Sequence, residues 1–79
     1  MLEELKSTEK VVGVRQIRKA FSAGTVKKVF LAMDADPALT EPLARLCEAA
    51  SVSFDYVPTM KQLGTACEIS VPAAAAAIL

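Results

Sequence analysis

Apolar and polar residues along this chain switch between two periods, and the switches mark out its elements. Val14, Ile17 and Phe21 recur at helical intervals, while Arg15, Arg18, Lys19 and Ser22 fall three, four and seven apart on the opposite side. That spacing predicts an amphipathic helix with a cationic face. Before it, Val11-Val12-Gly13 reads as a brief strand ending at a glycine that frees the backbone to turn, and Gly24 is placed to cap the far end. Val29-Phe30-Leu31-Ala32-Met33 is an unbroken apolar run of strand length. Such a run predicts an interior strand covered on both faces, which forces helices onto both sides of the sheet.

Asp34-Ala35-Asp36-Pro37 predicts a turn, and a longer helix follows with Leu39, Leu43, Leu46, Cys47 and Ala50 on one stripe. A proline in mid-helix removes a hydrogen bond and crowds the preceding turn. Pro42 therefore places the regular part after Thr40, with Thr40 as N-cap and the end near Ala50. Ser53-Phe54-Asp55-Tyr56-Val57 alternates as a strand does, with Phe54 and Tyr56 sharing a face. Thr59-Met60-Lys61-Gln62 fits a capping box at the head of a short helix that Gly64 weakens. At the N-terminus, Leu2 and Leu5 among charged neighbours predict a short helix over residues 2–8. The last segment, Pro72 to Leu79, is open on pattern alone: five consecutive alanines favour helix, whereas a terminal strand would complete the sheet. The alternation of helices and strands predicts an α/β sandwich, three layers around a small mixed sheet.

A chain of 79 residues has room for one domain, residues 1–79, and its 53% hydrophobic content suits a folded one. The longest apolar runs, residues 29–33 and 71–79, reach about half of what a membrane span needs. Met1-Leu2-Glu3-Glu4 lacks the basic start and apolar core of a secretion signal, so a cytoplasmic protein without a membrane partner is expected. Two cysteines without a histidine cannot make a structural zinc site, and neither metal nor cofactor is expected. Cys47 reads instead as a small hydrophobe on a helix stripe. With no histidine, no glycine-rich phosphate loop and scattered carboxylates, the sequence argues against an enzyme. Asp34 and Asp36 are explained by turn and capping roles rather than by a metal.

Charge changes the picture by its placement. The chain is neutral overall, yet six of its nine basic residues lie between Lys10 and Lys28 with no acidic one among them. From Asp34 to Asp55 the balance reverses, with Asp34, Asp36, Glu41, Glu48 and Asp55 against Arg45 alone. Zero net charge opposes indiscriminate binding to nucleic acid, but a dipolar chain can dock one way round and depend on specific contacts. The first turn of a helix already offers unpaired N–H groups and a partial positive charge, so arginine there favours a phosphate backbone. RNA binding is the leading expectation. An interaction module that sets the same cationic helix against an acidic protein partner is the alternative, and an ordinary solvated helix face is the bland reading.

Three ordered stretches resemble the kink-turn-binding ribosomal-protein family named for the large-subunit proteins L-seven-Ae and L-thirty-e. They are Gly13-Val14-Arg15-Gln16-Ile17-Arg18-Lys19-Ala20, then Leu31-Ala32-Met33-Asp34-Ala35-Asp36-Pro37 continuing to Leu46-Cys47-Glu48, then Val57 through Val71. The small size looks most like the short stand-alone bacterial members of the YbxF type. The resemblance implies a three-layer α/β/α sandwich with a four-stranded mixed sheet, and a strand for the alanine-rich end. It also implies a monomer that binds structured RNA, in a ribosome or another ribonucleoprotein, at a bulge followed by sheared G·A pairs. By position, Arg15 stands where the family has asparagine, Gln16 where it has glutamate, and Lys19 at the family lysine; Gly13, Val14 and Arg18 complete that contact. Lys61 belongs to the third stretch, in which Ile69-Ser70-Val71 matches a loop that packs apolar side chains on an extruded base. Glu68 replaces the glycine expected before Ile69. Read without the family, Ile69 and Val71 serve equally well as core residues.

Overall fold

A computed structural model describes residues 9–79. The helix expected over residues 2–8 lies outside the described residues. Four strands, β1 (Lys10–Val12), β2 (Lys28–Ala32), β3 (Ser53–Val57) and β4 (Ala75–Ile78), form one sheet in the order β1-β4-β2-β3. β4 runs antiparallel to β1 and β2, and β2 runs parallel to β3, so the sheet is mixed. Three helices are described: α1 (Val14–Ala23), α2 (Pro37–Ala50) and α3 (Met60–Ala66).

Alternate residues of β2 explain why its apolar run had to be unbroken. Val29 and Leu31 pack with Ile17 of α1 and with Leu43 and Cys47 of α2 on one side of the sheet. Phe30 and Ala32 pack with Leu63 and Ala66 of α3 on the other. All four β2 side chains are buried, as a strand with helices on both faces requires. The three layers expected from the alternation are therefore present.

The alanine-rich end is a strand because of where it lies. Ala75, Ala76 and Ala77 are fully buried between β1 and β2, with Ala76 in register with Val12 on one side and Phe30 on the other. Alanine is a poor strand former in isolation, but two ladders satisfy this backbone, and short side chains let the flanking layers close over it. At the edge, Phe54 and Tyr56 do share a face, their rings meeting edge-on at 6.1 Å between centroids.

α2 begins earlier than its proline suggests. Asp36 is the N-cap, its side chain accepting from the Ala38 N–H at 3.0 Å, and Pro37 opens the helix; Thr40 lies inside it and is buried. Capping by Asp36 and a proline preset at the first position offset the hydrogen bond that Pro42 removes one turn later. The same shift corrects the core stripe: Leu43 and Cys47 are buried, whereas Leu39 is 44% exposed and Ala50 is exposed. α3 starts with the forward half of the capping box, the Thr59 hydroxyl accepting from the Gln62 N–H at 3.1 Å. A second cap comes from far along the chain, where Asp34 accepts from the Met60 N–H at 2.7 Å.

Candidate nucleic-acid interface

Four backbone hydrogen bonds fix what gathers at one end of the sheet. The N–H of Gly13 donates to the Ala75 carbonyl at 3.0 Å, Ala32 to Ala74 at 2.9 Å, Met33 to Val57 at 2.8 Å, and Ala73 to Met60 at 3.0 Å. β1, β2 and β3 all finish at this end, and β4 begins there. The first turn of α1, the turn over residues 33–36, the start of α3 and the loop over residues 68–74 consequently share it. Gly13 to Gln16 and the Ile69-Ser70-Val71 loop, 53 or more residues apart in sequence, thus lie at the same end of the sheet.

Gly13 turns the chain from β1 into α1 at φ 101, a backbone conformation natural to glycine. Having no side chain, it leaves the first-turn amides of Val14, Arg15 and Gln16 without a side-chain cap, and the first helical bond runs from the Ile17 N–H to the Gly13 carbonyl at 3.1 Å. No acidic residue occupies that turn. α2 and α3, by contrast, have their starts closed by Asp36 and Thr59. Ile17 anchors α1 on the sheet at 0% exposure and Val14 is half-buried, whereas Arg15, Gln16, Arg18 and Lys19 are exposed. Helix-end amides, two guanidinium groups, one amide side chain and one ammonium therefore face solvent together, which suits phosphate and purine edges.

The loop is shaped by how α3 ends. The Glu68 N–H donates to the Thr65 carbonyl at 3.0 Å and the Ile69 N–H to the Gly64 carbonyl at 3.1 Å, a Schellman closure with Glu68 left-handed at φ 61. Position 68, where the resemblance implies a glycine, therefore has a backbone conformation that favours one. Gly64 has a separate role: a Cβ there would overlap the Val71 carbonyl oxygen, so its bareness lets the loop lie against α3. Ile69 is 36% and Val71 60% exposed, which removes Val71 from the core. Lys61, Thr65, Ile69, Ser70, Val71 and Pro72 line a groove along this loop.

Met33 is the residue that pattern reading misplaced at this end. The apolar run assigned it to the strand, but β2 stops at Ala32 and Met33 is 67% exposed. With Leu39, Ile69 and Val71 it accounts for four of the five exposed large hydrophobics among the described residues. The signal available in the sequence was the turn at Asp34, which ends the strand one residue early. Away from this end, Cys47 and Cys67 are both buried; burial pushes the Cys47 thiol up to about 11, aided by Glu48, and raises Cys67 against the opposing charge of Lys10. No cluster that could hold a metal ion occurs among the described residues, and no described helix is long and apolar enough to cross a membrane.

The mixed sheet between two helical layers, with an open cationic helix start and an apolar loop at one end, defines a class of small α/β/α domains. The chain belongs to the ribosomal protein L7Ae/L30e/S12e/Gadd45 family, which it matches over residues 2–79. It is similar to an RNA-binding protein of Bacillus pumilus (strain SAFR-032), with 44% identity over 69 residues that span 87% of this chain and 84% of the relative. The RNA-binding protein YbxF of Geobacillus stearothermophilus is 39% identical over 75 residues, 95% of this chain and 92% of that one. Among solved structures, the Giardia lamblia 15.5kD RNA binding protein superposes with a TM-score of 0.88 at 29% identity, over 98% of this chain and 68% of that chain.

Proposed function

We propose that this chain binds structured RNA at bends in which a bulge is followed by sheared G·A pairs, and holds them bent without doing chemistry on them. The observation that carries this reading is the convergence, at one end of the sheet, of the open start of α1 and the loop over residues 68–72. Relatives of nearly the same length that are named RNA-binding proteins support it. A regular RNA major groove is too deep and narrow for side chains, whereas a kinked, mismatched segment opens purine edges to them. Arg15 and Gln16 can each make paired hydrogen bonds to such an edge, and Lys19 reaches guanine or phosphate. Gly13 and Val14 bring the uncapped amides close to the backbone, Arg18 adds charge one turn on, and Lys61 flanks the loop. Ile69 and Val71 offer apolar surface to a base expelled from the stack, with Ser70 between them.

The test is a binding titration against an RNA containing the bulge and G·A pairs, beside the same RNA with those pairs replaced by Watson–Crick pairs. Tight binding to the first and weak binding to the second is expected. Equal affinity for both refutes recognition of the bend, and no affinity for either favours a protein partner for the cationic helix.

A further inference from the structure

Met33 is the most exposed large hydrophobic side chain among the described residues, at 67%, although hydrogen bonds fix the backbone on both sides of it. We infer that Met33 packs its thioether on an unpaired base of the bound RNA, as an apolar contact separate from the loop over residues 68–72. This inference rests on the RNA-binding reading and deepens it with a contact on the α1 side of the interface.

The strand ladders locate the residue. Gly13, Ala75, Leu31 and Tyr56 lie on one rung across the four strands, so Leu31 stands two strand spacings, about 10 Å, from the glycine that opens α1. Met33 comes two residues after Leu31, and its N–H still donates to the Val57 carbonyl at 2.8 Å, which carries the alternation of β2 past its last residue. Leu31 packs in the layer of α1 and α2, in a cluster that Val14 also joins, and alternation sets Met33 on that side. The loop lies on the other side, where Gly64 of α3 meets the Val71 carbonyl and the Ala73 N–H donates to the Met60 carbonyl. Met33 and the loop therefore serve different bases.

The turn after Met33 holds it outward. The Asp34 carboxylate accepts from the Met60 N–H at 2.7 Å, the Ala35 N–H donates to the Ala32 carbonyl at 3.3 Å, and Ala35 is buried. A side chain left in solvent by such a turn adds little buried area to the fold. Single exposed hydrophobics are ordinary, but Met33, Leu39, Ile69 and Val71 gather at one end of the sheet, which marks an interaction surface. Chemistry selects the occupant: the cationic first turn of α1 draws phosphate, and a bend that opens purine edges leaves bases unstacked beside it. A methionine thioether is flexible and polarisable and packs favourably on an aromatic ring, a face that every nucleobase offers.

Met33→Ala and Met33→Leu test this in the intact protein, against the bulged, G·A-containing RNA and the same RNA with its bulge nucleotides made abasic one at a time. Alanine should weaken binding about two- to tenfold and leucine should restore most of the loss, with Tm unmoved. The slope of log affinity against log salt should stay as in the wild type, since no phosphate contact is lost. One abasic substitution should erase the difference between wild type and Met33→Ala, and another should erase the effect of Val71→Ala. Undiminished affinity of Met33→Ala, or a loss that persists on every abasic RNA, overturns the contact; cancellation of both variants at the same base overturns its separation from the loop. Equal wild-type affinity for RNA with the G·A pairs replaced refutes recognition of the bend, and a hairpin with an unpaired loop then decides the matter for Met33 beside a plain duplex. Met33→Ala should weaken binding to the hairpin alone, and equal effects on the two RNAs overturn the inference.

Discussion

Replacing Glu68 with glycine isolates a conformational cost carried at the edge of the candidate interface. Glu68 sits at φ 61 just beyond α3, and it is exposed, so the substitution deletes no buried contact. A non-glycine residue held left-handed costs about 1–2 kcal/mol, through the approach of its Cβ to the carbonyl oxygen that follows. Glycine removes that cost but has more freedom to lose on folding, which returns about 0.4–1 kcal/mol. The net expectation is a stabilisation of about 0.5–1 kcal/mol, or about 2–8 °C in Tm for a domain of this size. Thermal unfolding followed by circular dichroism measures it. Glu68→Ala is the necessary control, since alanine removes the carboxylate and keeps the Cβ. The backbone argument predicts that glycine stabilises and alanine does not. In RNA titrations both variants should bind more tightly by the same factor, because both delete a negative charge beside the loop. A Glu68→Gly protein no more stable than Glu68→Ala would refute the claim that backbone geometry, and not charge, is what glycine serves at this position.

The other expectations test separate parts of the same end. Gly64→Ala drives a Cβ into the Val71 carbonyl, so it should cost at least the ~1–3 kcal/mol typical of overpacking and lower both Tm and RNA affinity. Arg15→Ala or Gln16→Ala should weaken binding to a bent RNA by about 1–3 kcal/mol and leave plain-duplex binding nearly unchanged; equal losses on both RNAs would mean that these side chains touch only backbone. Val71→Asp should abolish the loop's contribution to binding with Tm preserved, since Val71 is 60% exposed, and a collapse of Tm would return Val71 to the core. Cys47 is raised to about 11, so its thiol ionises in the unfolded chain before it does in the folded one. Stability should accordingly hold below the ordinary thiol range and fall as pH climbs towards that value, a fall that Cys47→Ala reduces and that retains the contribution of the likewise raised Cys67.

Periodicity and punctuation made most of this fold legible before any coordinates. Val29 to Ala32 had to be a central strand because four consecutive apolar residues can be buried in a strand only if both faces are covered, and both are. The start of α2 was not legible in the same way. Pro42 sends a strong local signal, and it was outweighed by Asp36 and Pro37, a cap and a first-turn proline acting together one turn earlier. The alanine run was undecidable by propensity because its strand character is imposed from outside, by β1 and β2 on its two edges. The cationic face of α1 was readable as spacing, but its placement at the same end of the sheet as residues 69–71 was not, since that depends on β4 lying beside β1.

The three helix ends show why the loop resisted local reading. α1, α2 and α3 close on the same pattern of two backbone hydrogen bonds around a left-handed residue: Gly24, Ser51 and Glu68 respectively. Only Gly24 announces the conformation in its chemistry, because only glycine adopts it without cost. At Ser51 the fold meets that cost where α2 turns into β3, far from the candidate interface. At Glu68 the same cost falls where the chain must turn back along α3, and Gly64 leaves room there for the Val71 backbone. Two residues thus divide a task that the family's expected glycine would share: Gly64 grants proximity, and position 68 sets direction. Exchanging either alone should therefore move different observables, stability and affinity together at Gly64, and backbone strain separable from charge at Glu68.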